Sequence, residues 1–216
     1  MLGLIEKDLR LTLARKQTLL VFSVMALIMG ISMDGSFTIG YLTILATIIA
    51  VGTISYDEFD NGFAFLMTLP FSRKTYVREK YLFSFCMTAA AWCVGAVLYF
   101  IGNVIRHNAA ILPDEFPMLI ALIPVMYLSA VIMIPLQLKY GSEKSRVALL
   151  IIFGIIAILI FGSTKLFGSS NIMAGLTKTL DGLSPTVVLL ALSAVCALAA
   201  YVSCLCSIRI MEKKEF

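Results

Sequence analysis

Six stretches of this chain, over residues 17–33, 37–55, 81–105, 116–138, 147–164 and 185–208, contain no lysine, arginine, aspartate or glutamate. Crossing a bilayer takes roughly 20 predominantly apolar residues. A segment in lipid must also satisfy its own backbone polar groups, which leaves helices or closed barrels. The composition admits no other solvent for so much apolar surface. Of 216 residues, 60% are hydrophobic and 14% charged, with a mean hydropathy of +0.97. A soluble domain of this size would have to leave much of that surface in water. The expectation is an all-α polytopic membrane protein, one transmembrane domain over 1–216 with six spans.

The segments between the spans carry the charge. Residues 1–16 place Leu2, Ile5, Leu9 and Leu13 at helical spacing, with Glu6, Lys7, Asp8 and Arg10 between them. That pattern predicts an amphipathic helix lying in the membrane interface. Spans one and two then fill 17–55, a polar segment follows at 56–80, spans three to six occupy 81–208, and 209–216 is a tail. Met1-Leu-Gly-Leu-Ile-Glu-Lys-Asp carries acids early and is followed by no small-residue cleavage site, unlike a signal peptide. Pro117 suits a first helical turn, whereas Pro124 and Pro135 predict kinks within the fourth span. Lys139 to Arg146 reads as a charged loop, and Ser184-Pro185 as the start of the last helix.

Orientation follows from the cations. Of the 17 lysines and arginines, only Arg106, Lys165 and Lys178 fall on one side of the expected topology. The other fourteen lie in 1–16, 56–80, 139–146 and 209–216. The positive-inside bias puts those segments, and both termini, in the cytoplasm. A net charge of +4 so distributed is no sign of nucleic-acid binding.

Little chemistry is available inside the spans. A charged side chain at a helix centre costs about 2.5–3.5 kcal/mol on insertion scales, and ion pathways carry such residues in spite of the cost. None lies deep here, which argues against a proton- or sodium-coupled transporter. The lone His107 sits in an outer loop, so no catalytic or metal constellation is expected. The five cysteines, Cys86, Cys93, Cys196, Cys204 and Cys206, all fall in apolar runs and read as small buried hydrophobes. No phosphate-loop motif is present, so no cofactor is expected on this chain.

The informative stretch is Tyr56 to Lys80. Phe59, Phe63, Leu66, Met67 and Pro70 share one helical face, with acids before them and cations after. Pro70 should stop this helix and Ser72 cap the next. The result is a short amphipathic helix at about 58–69. It either lies on lipid or inserts into a groove of a cytoplasmic partner.

The order Glu58, Gly62, Leu66, Leu69, Pro70, Arg73, Lys80 resembles the segment between spans two and three of type-2 ABC exporter permeases. Nearly the whole chain fits that plan. Its small size is similar to bacterial permeases exporting peptides such as phenol-soluble modulins. Phe63 departs from the pattern, where many members carry a small polar residue. The resemblance implies a transport subunit in the plasma membrane with no catalysis of its own. It implies a separate ABC ATPase carrying ATP and Mg, and a second permease copy or a sister chain. It also implies a coupling helix built on Glu58, Phe59, Gly62, Phe63, Leu66, Met67, Leu69, Pro70 and Arg73. The cargo would be an amphipathic peptide, lipid-like or drug-like molecule. The alternative reading is a stand-alone membrane protein for immunity or membrane sensing, or a small secondary transporter.

Overall fold

The computed structural model describes residues 2–32, 35–59, 62–66, 68–105, 112–167 and 184–214. Among them the chain is helical throughout, with no strand. In order the helices are α1 (Leu2–Ala14), α2 (Lys16–Ser32), α3 (Gly35–Glu58), α4 (Gly62–Leu66), α5 (Arg73–Ile105), α6 (Leu112–Phe167) and α7 (Pro185–Lys213). Four segments are long and apolar enough to cross a membrane: Phe37–Glu58, Arg73–Val104, Phe116–Ser145 and Pro185–Lys213. A fifth is added if α1 and α2, joined at a bend of 71°, act as one broken span. His107 and the outer loop at 168–183 lie outside the described residues.

The helix α1 exists as expected, but its buried face is not its apolar face. Leu4, Asp8 and Thr12 point into the protein, while Leu9 and Leu13 point away from it. The helix docks through Leu4 and two polar side chains and leaves Leu9 and Leu13 on its outer face.

Two boundaries differ from expectation. The helix α3 continues through Asp57 and Glu58, because both carboxylates are held by neighbouring helices (below). The helix expected at 58–69 therefore shortens to α4, five residues long. A Cβ on Gly62 would stand 2.7 Å from the Asp57 carbonyl oxygen, so the start of α4 lies too close to the end of α3 for a side chain at 62. Beyond α4, turns carry the backbone past Leu69 and Pro70, and Phe71 N–H donates to the Leu69 carbonyl at 2.7 Å. The helix α5 then starts at Arg73 and runs on through the third uncharged stretch to Ile105. Ser72 caps it as expected: its Oγ accepts from the Thr75 N–H at 3.2 Å.

The segment 139–146 is not an open loop. Its residues are helical on either side of Gly141, whose angles, φ 79° and ψ 173°, lie in a region essentially reserved for glycine and divide α6 into two helices at that point. The helix continues past Pro117, Pro124 and Pro135. Pro135 cannot hydrogen-bond the Val131 carbonyl, and Ser203 Oγ of α7 donates to that oxygen instead, at 2.5 Å. A neighbouring helix thus restores what proline removes.

The helices α3, α5, α6 and α7 pack side by side. Their main core, including Val51, Phe63, Tyr76, Ile134, Leu138 and Met211, sits at the end of the bundle where α4 lies. A smaller one of Ile39, Tyr99 and Leu119 sits at the other end. The four cation-rich segments gather at the α4 end: Glu58 meets Ser142, Arg73 meets the end of α7, and Lys7 meets Asp57.

Candidate functional site

The charged residues nearest the spans form a buried network at the α4 end of the bundle. Asp57 ends the second uncharged stretch and Lys80 precedes the third, so antiparallel packing of α3 and α5 brings them to one level. Lys80 Nζ is 2.8 Å from Asp57 Oδ2, 3.0 Å from Thr53 Oγ1, and also pairs with Asp8 of α1. Lys7 pairs with Asp57 and lies 3.1 Å from Asp8 Oδ1. Tyr76 donates its hydroxyl to Asp57 Oδ2 at 2.8 Å, and Thr53 donates to Asp8 Oδ2 at 3.1 Å. Lys80 is 2% exposed and Asp8 0%. Lys80, Asp8 and Asp57 are thus compensated out of water, with the partly exposed Lys7 as the second cation and hydrogen bonds to each, the condition under which buried charges persist.

Around this network the residues of the resemblance divide into two groups. Glu58, Gly62, Phe63, Leu66 and Arg73 hold α4 to the bundle. Glu58 Oε2 accepts the Ser142 N–H at 2.8 Å, capping the helix that resumes after Gly141. A Cβ at position 141 would lie 2.5 Å from Glu58 Oε1, so a side chain there would displace this carboxylate, in addition to the strain of its backbone angles. Phe63 and Leu66 are 4% and 7% exposed, within the chain's own core. Phe63 meets Tyr76 edge-on at 5.9 Å, and Lys214 Nζ sits 4.9 Å from its ring centroid. Arg73 Nη1 donates to the carbonyls of Met211, Glu212 and Lys214 at 2.9–3.0 Å, binding the last turn of α7. Lys74 pairs with Glu212 at 3.4 Å, and Lys214 reaches the Leu138 carbonyl at 3.3 Å.

Phe59, Leu69 and Pro70 form the second group, on the outside. Phe59 is 69% exposed, and Phe65 beside it is 68% exposed. The expected single face of Phe59, Phe63 and Leu66 is therefore divided: Phe63 and Leu66 turn inward, Phe59 outward. Met67 lies outside the described residues. Phe65 was not singled out by the sequence, because α4 is too short for periodicity to choose between Phe63 and Phe65. Among the described residues no cluster of His, Cys, Asp or Glu could hold a metal.

These features define a multi-helix membrane protein whose polar structure is concentrated at one end, around a short helix clamped between spans. The sequence matches the family described as ABC-2 family transporter protein over residues 3–212, and the chain belongs to that family. Its members are membrane transport subunits without catalysis of their own, which generally work with an ABC ATPase and in dimers. No curated protein and no solved structure matches the chain.

Proposed function

We propose that the chain is the permease subunit of an ATP-driven exporter, with both termini and the α4 end of the bundle in the cytoplasm. The observation that carries the coupling role is the clamping of α4. Glu58 at the end of α3 ties that helix to α6, and Arg73 at the start of α5 ties that helix to α7, while Phe63 and Leu66 seat α4 in the core these helices share. A push on α4 by a partner therefore bears on four helices through packed contacts. Phe59, Phe65 and Leu69 offer the apolar contact that an ATPase groove would remove from water. Burying one such side chain is worth about 1.5–3 kcal/mol, so two or three suffice to dock a short helix.

The fuller topology belongs to the same proposal. The helix α2, with 17 residues, covers about 26 Å and crosses the bilayer as the first span. The helix α1 lies on the cytoplasmic interface with Leu9 and Leu13 in lipid. The part of α6 beyond Gly141 is the fifth span and α7 the sixth. Six spans are too few to enclose a pathway for an amphipathic cargo, so two permeases assemble, each with an ATPase holding ATP and Mg. Membership in a transport family favours this reading over a stand-alone membrane protein. A peptide or lipid-like cargo suits spans without deep charges.

The test is co-purification with the partner ATPase and ATP hydrolysis in membranes. Phe65→Asp together with Phe59→Asp should separate the subunits while leaving insertion intact. Normal assembly and hydrolysis in that variant would refute the docking face. Cysteines placed at Asp60 and Ser142 should react only from the cytoplasmic side; labelling of both from outside would invert the topology.

A further inference from the structure

We propose that a cavity beside the α1–α2 bend binds one anionic phospholipid, with its phosphate on Arg15 and an acyl chain in the space facing Gly52. The cavity, about 580 Å³, lies between α1, α2 and α3, with Ser142 and Glu143 of α6 at its rim. That volume is in the range of sites that enclose a small-molecule ligand. Its lining is graded. Leu19, Phe22, Leu45 and Ile49 form the deep wall, and Thr12, Arg15 and Tyr56 the end nearest the charged network. The wall from Leu45 to Tyr56 is about 16 Å tall at 1.5 Å per residue. A molecule filling it must be apolar at one end and polar at the other.

Two observations decide what that molecule is. Arg15 stands at the polar end with its guanidinium 4.2 Å from the Tyr56 ring centroid, and among the described residues it makes no ion pair. A guanidinium is the side chain best matched to a phosphate, and Thr18 and Ser142, which line the same cavity, also carry hydroxyl groups. Glu143 also lines the rim and is exposed, where water screens it. The second observation is Gly52. It faces the cavity, and a Cβ built on it meets no atom within 4 Å. A side chain at this position would project into the open cavity without meeting a neighbour, so helix packing does not require a glycine there. A lipid of the cytoplasmic leaflet, its phosphate level with the α1–α2 bend, fills both ends at once. The leaflet rests on the orientation proposed above; binding does not.

The test uses the purified full chain in detergent, exchanged with dioleoyl phosphatidylglycerol or dioleoyl phosphatidylcholine and examined by native mass spectrometry. The parental chain should retain phosphatidylglycerol in preference to phosphatidylcholine. Arg15→Gln should weaken that retention about tenfold, as loss of a charge-assisted contact does. Gly52→Phe should abolish it with an unchanged melting temperature, and Leu45→Trp fills the same wall should the first variant not fold. Retention unaffected by either filling variant overturns the site. Equal retention of both lipids overturns the role of Arg15. An amphipathic peptide that binds in place of phosphatidylglycerol, and is lost with Gly52→Phe, also overturns the proposal. An error in orientation would appear only in the cysteine labelling and would leave these results unchanged.

Discussion

Lys80→Met should be among the most damaging single substitutions at the α4 end of the bundle. The ammonium of Lys80 neutralises Asp8, 0% exposed, and Asp57, 5% exposed. Without it Lys7 is left to compensate both carboxylates. Glu79, buried and without a hydrogen bond, also loses the attraction of its neighbour. Removing one partner of a buried ion pair costs about 3–5 kcal/mol, because the remaining charge cannot return to water. The pair Arg10–Glu6 provides the contrast. It is shorter than many ion pairs, at 2.6 Å, but its side chains are 79% and 62% exposed. Arg10→Ala should therefore cost no more than about 0.5 kcal/mol. The double variant Lys80→Met with Asp8→Asn removes one cation and one anion and leaves Lys7 with Asp57. It should be less destabilised than the two single changes summed, by on the order of 1–3 kcal/mol. Thermal unfolding in detergent measures each. A local readout accompanies it: a cysteine at Thr12, buried in the parental chain, should become reactive in Lys80→Met as α1 detaches. Parental melting and an unreactive position 12 in Lys80→Met would refute the reasoning.

Phe63→Ala should destabilise by about 3–5 kcal/mol as a large core truncation, whereas Phe65→Ala should stay within about 0.5 kcal/mol and act only on assembly with the ATPase; melting curves of both variants distinguish them, and equal losses would contradict the inward and outward assignment. Gly141→Ala should cost about 1–3 kcal/mol, from its backbone angles and its contact with Glu58. Adding Glu58→Ala should relieve the contact but not the backbone strain, so the double variant stays less stable than the parental chain by the same melting assay. Ser203→Ala leaves the Val131 carbonyl without a donor and should cost about 1–3 kcal/mol. Pro135→Ala in that background should recover part of the loss, because the N–H at 135 returns to the Val131 carbonyl while the contact of Ser203 with the Tyr81 hydroxyl stays lost; no recovery would refute the role of Ser203 at that carbonyl.

The solvent and secondary structure of this chain were legible without coordinates. Uncharged stretches of span length require lipid, lipid requires internally bonded helices, and the placement of 17 cations anticipated which segments meet at one end. The Ser72 cap was legible for the same reason: it depends on residues three positions apart. What required the tertiary structure was the environment of each helix face. Asp8 with Lys80, Lys7 with Asp57 and Glu58 with Ser142 are separated by 72, 50 and 84 residues, and their pairing depends on which helices are neighbours. The same residues that suggested a docking motif, Glu58, Phe63, Leu66 and Arg73, proved to brace α4 against its own bundle. Periodicity identifies residues that share a face, but not whether protein, lipid or a partner lies opposite. At the α1–α2 bend it could not show that Gly52 borders a cavity, because an empty volume belongs to three helices at once and to no segment of the sequence.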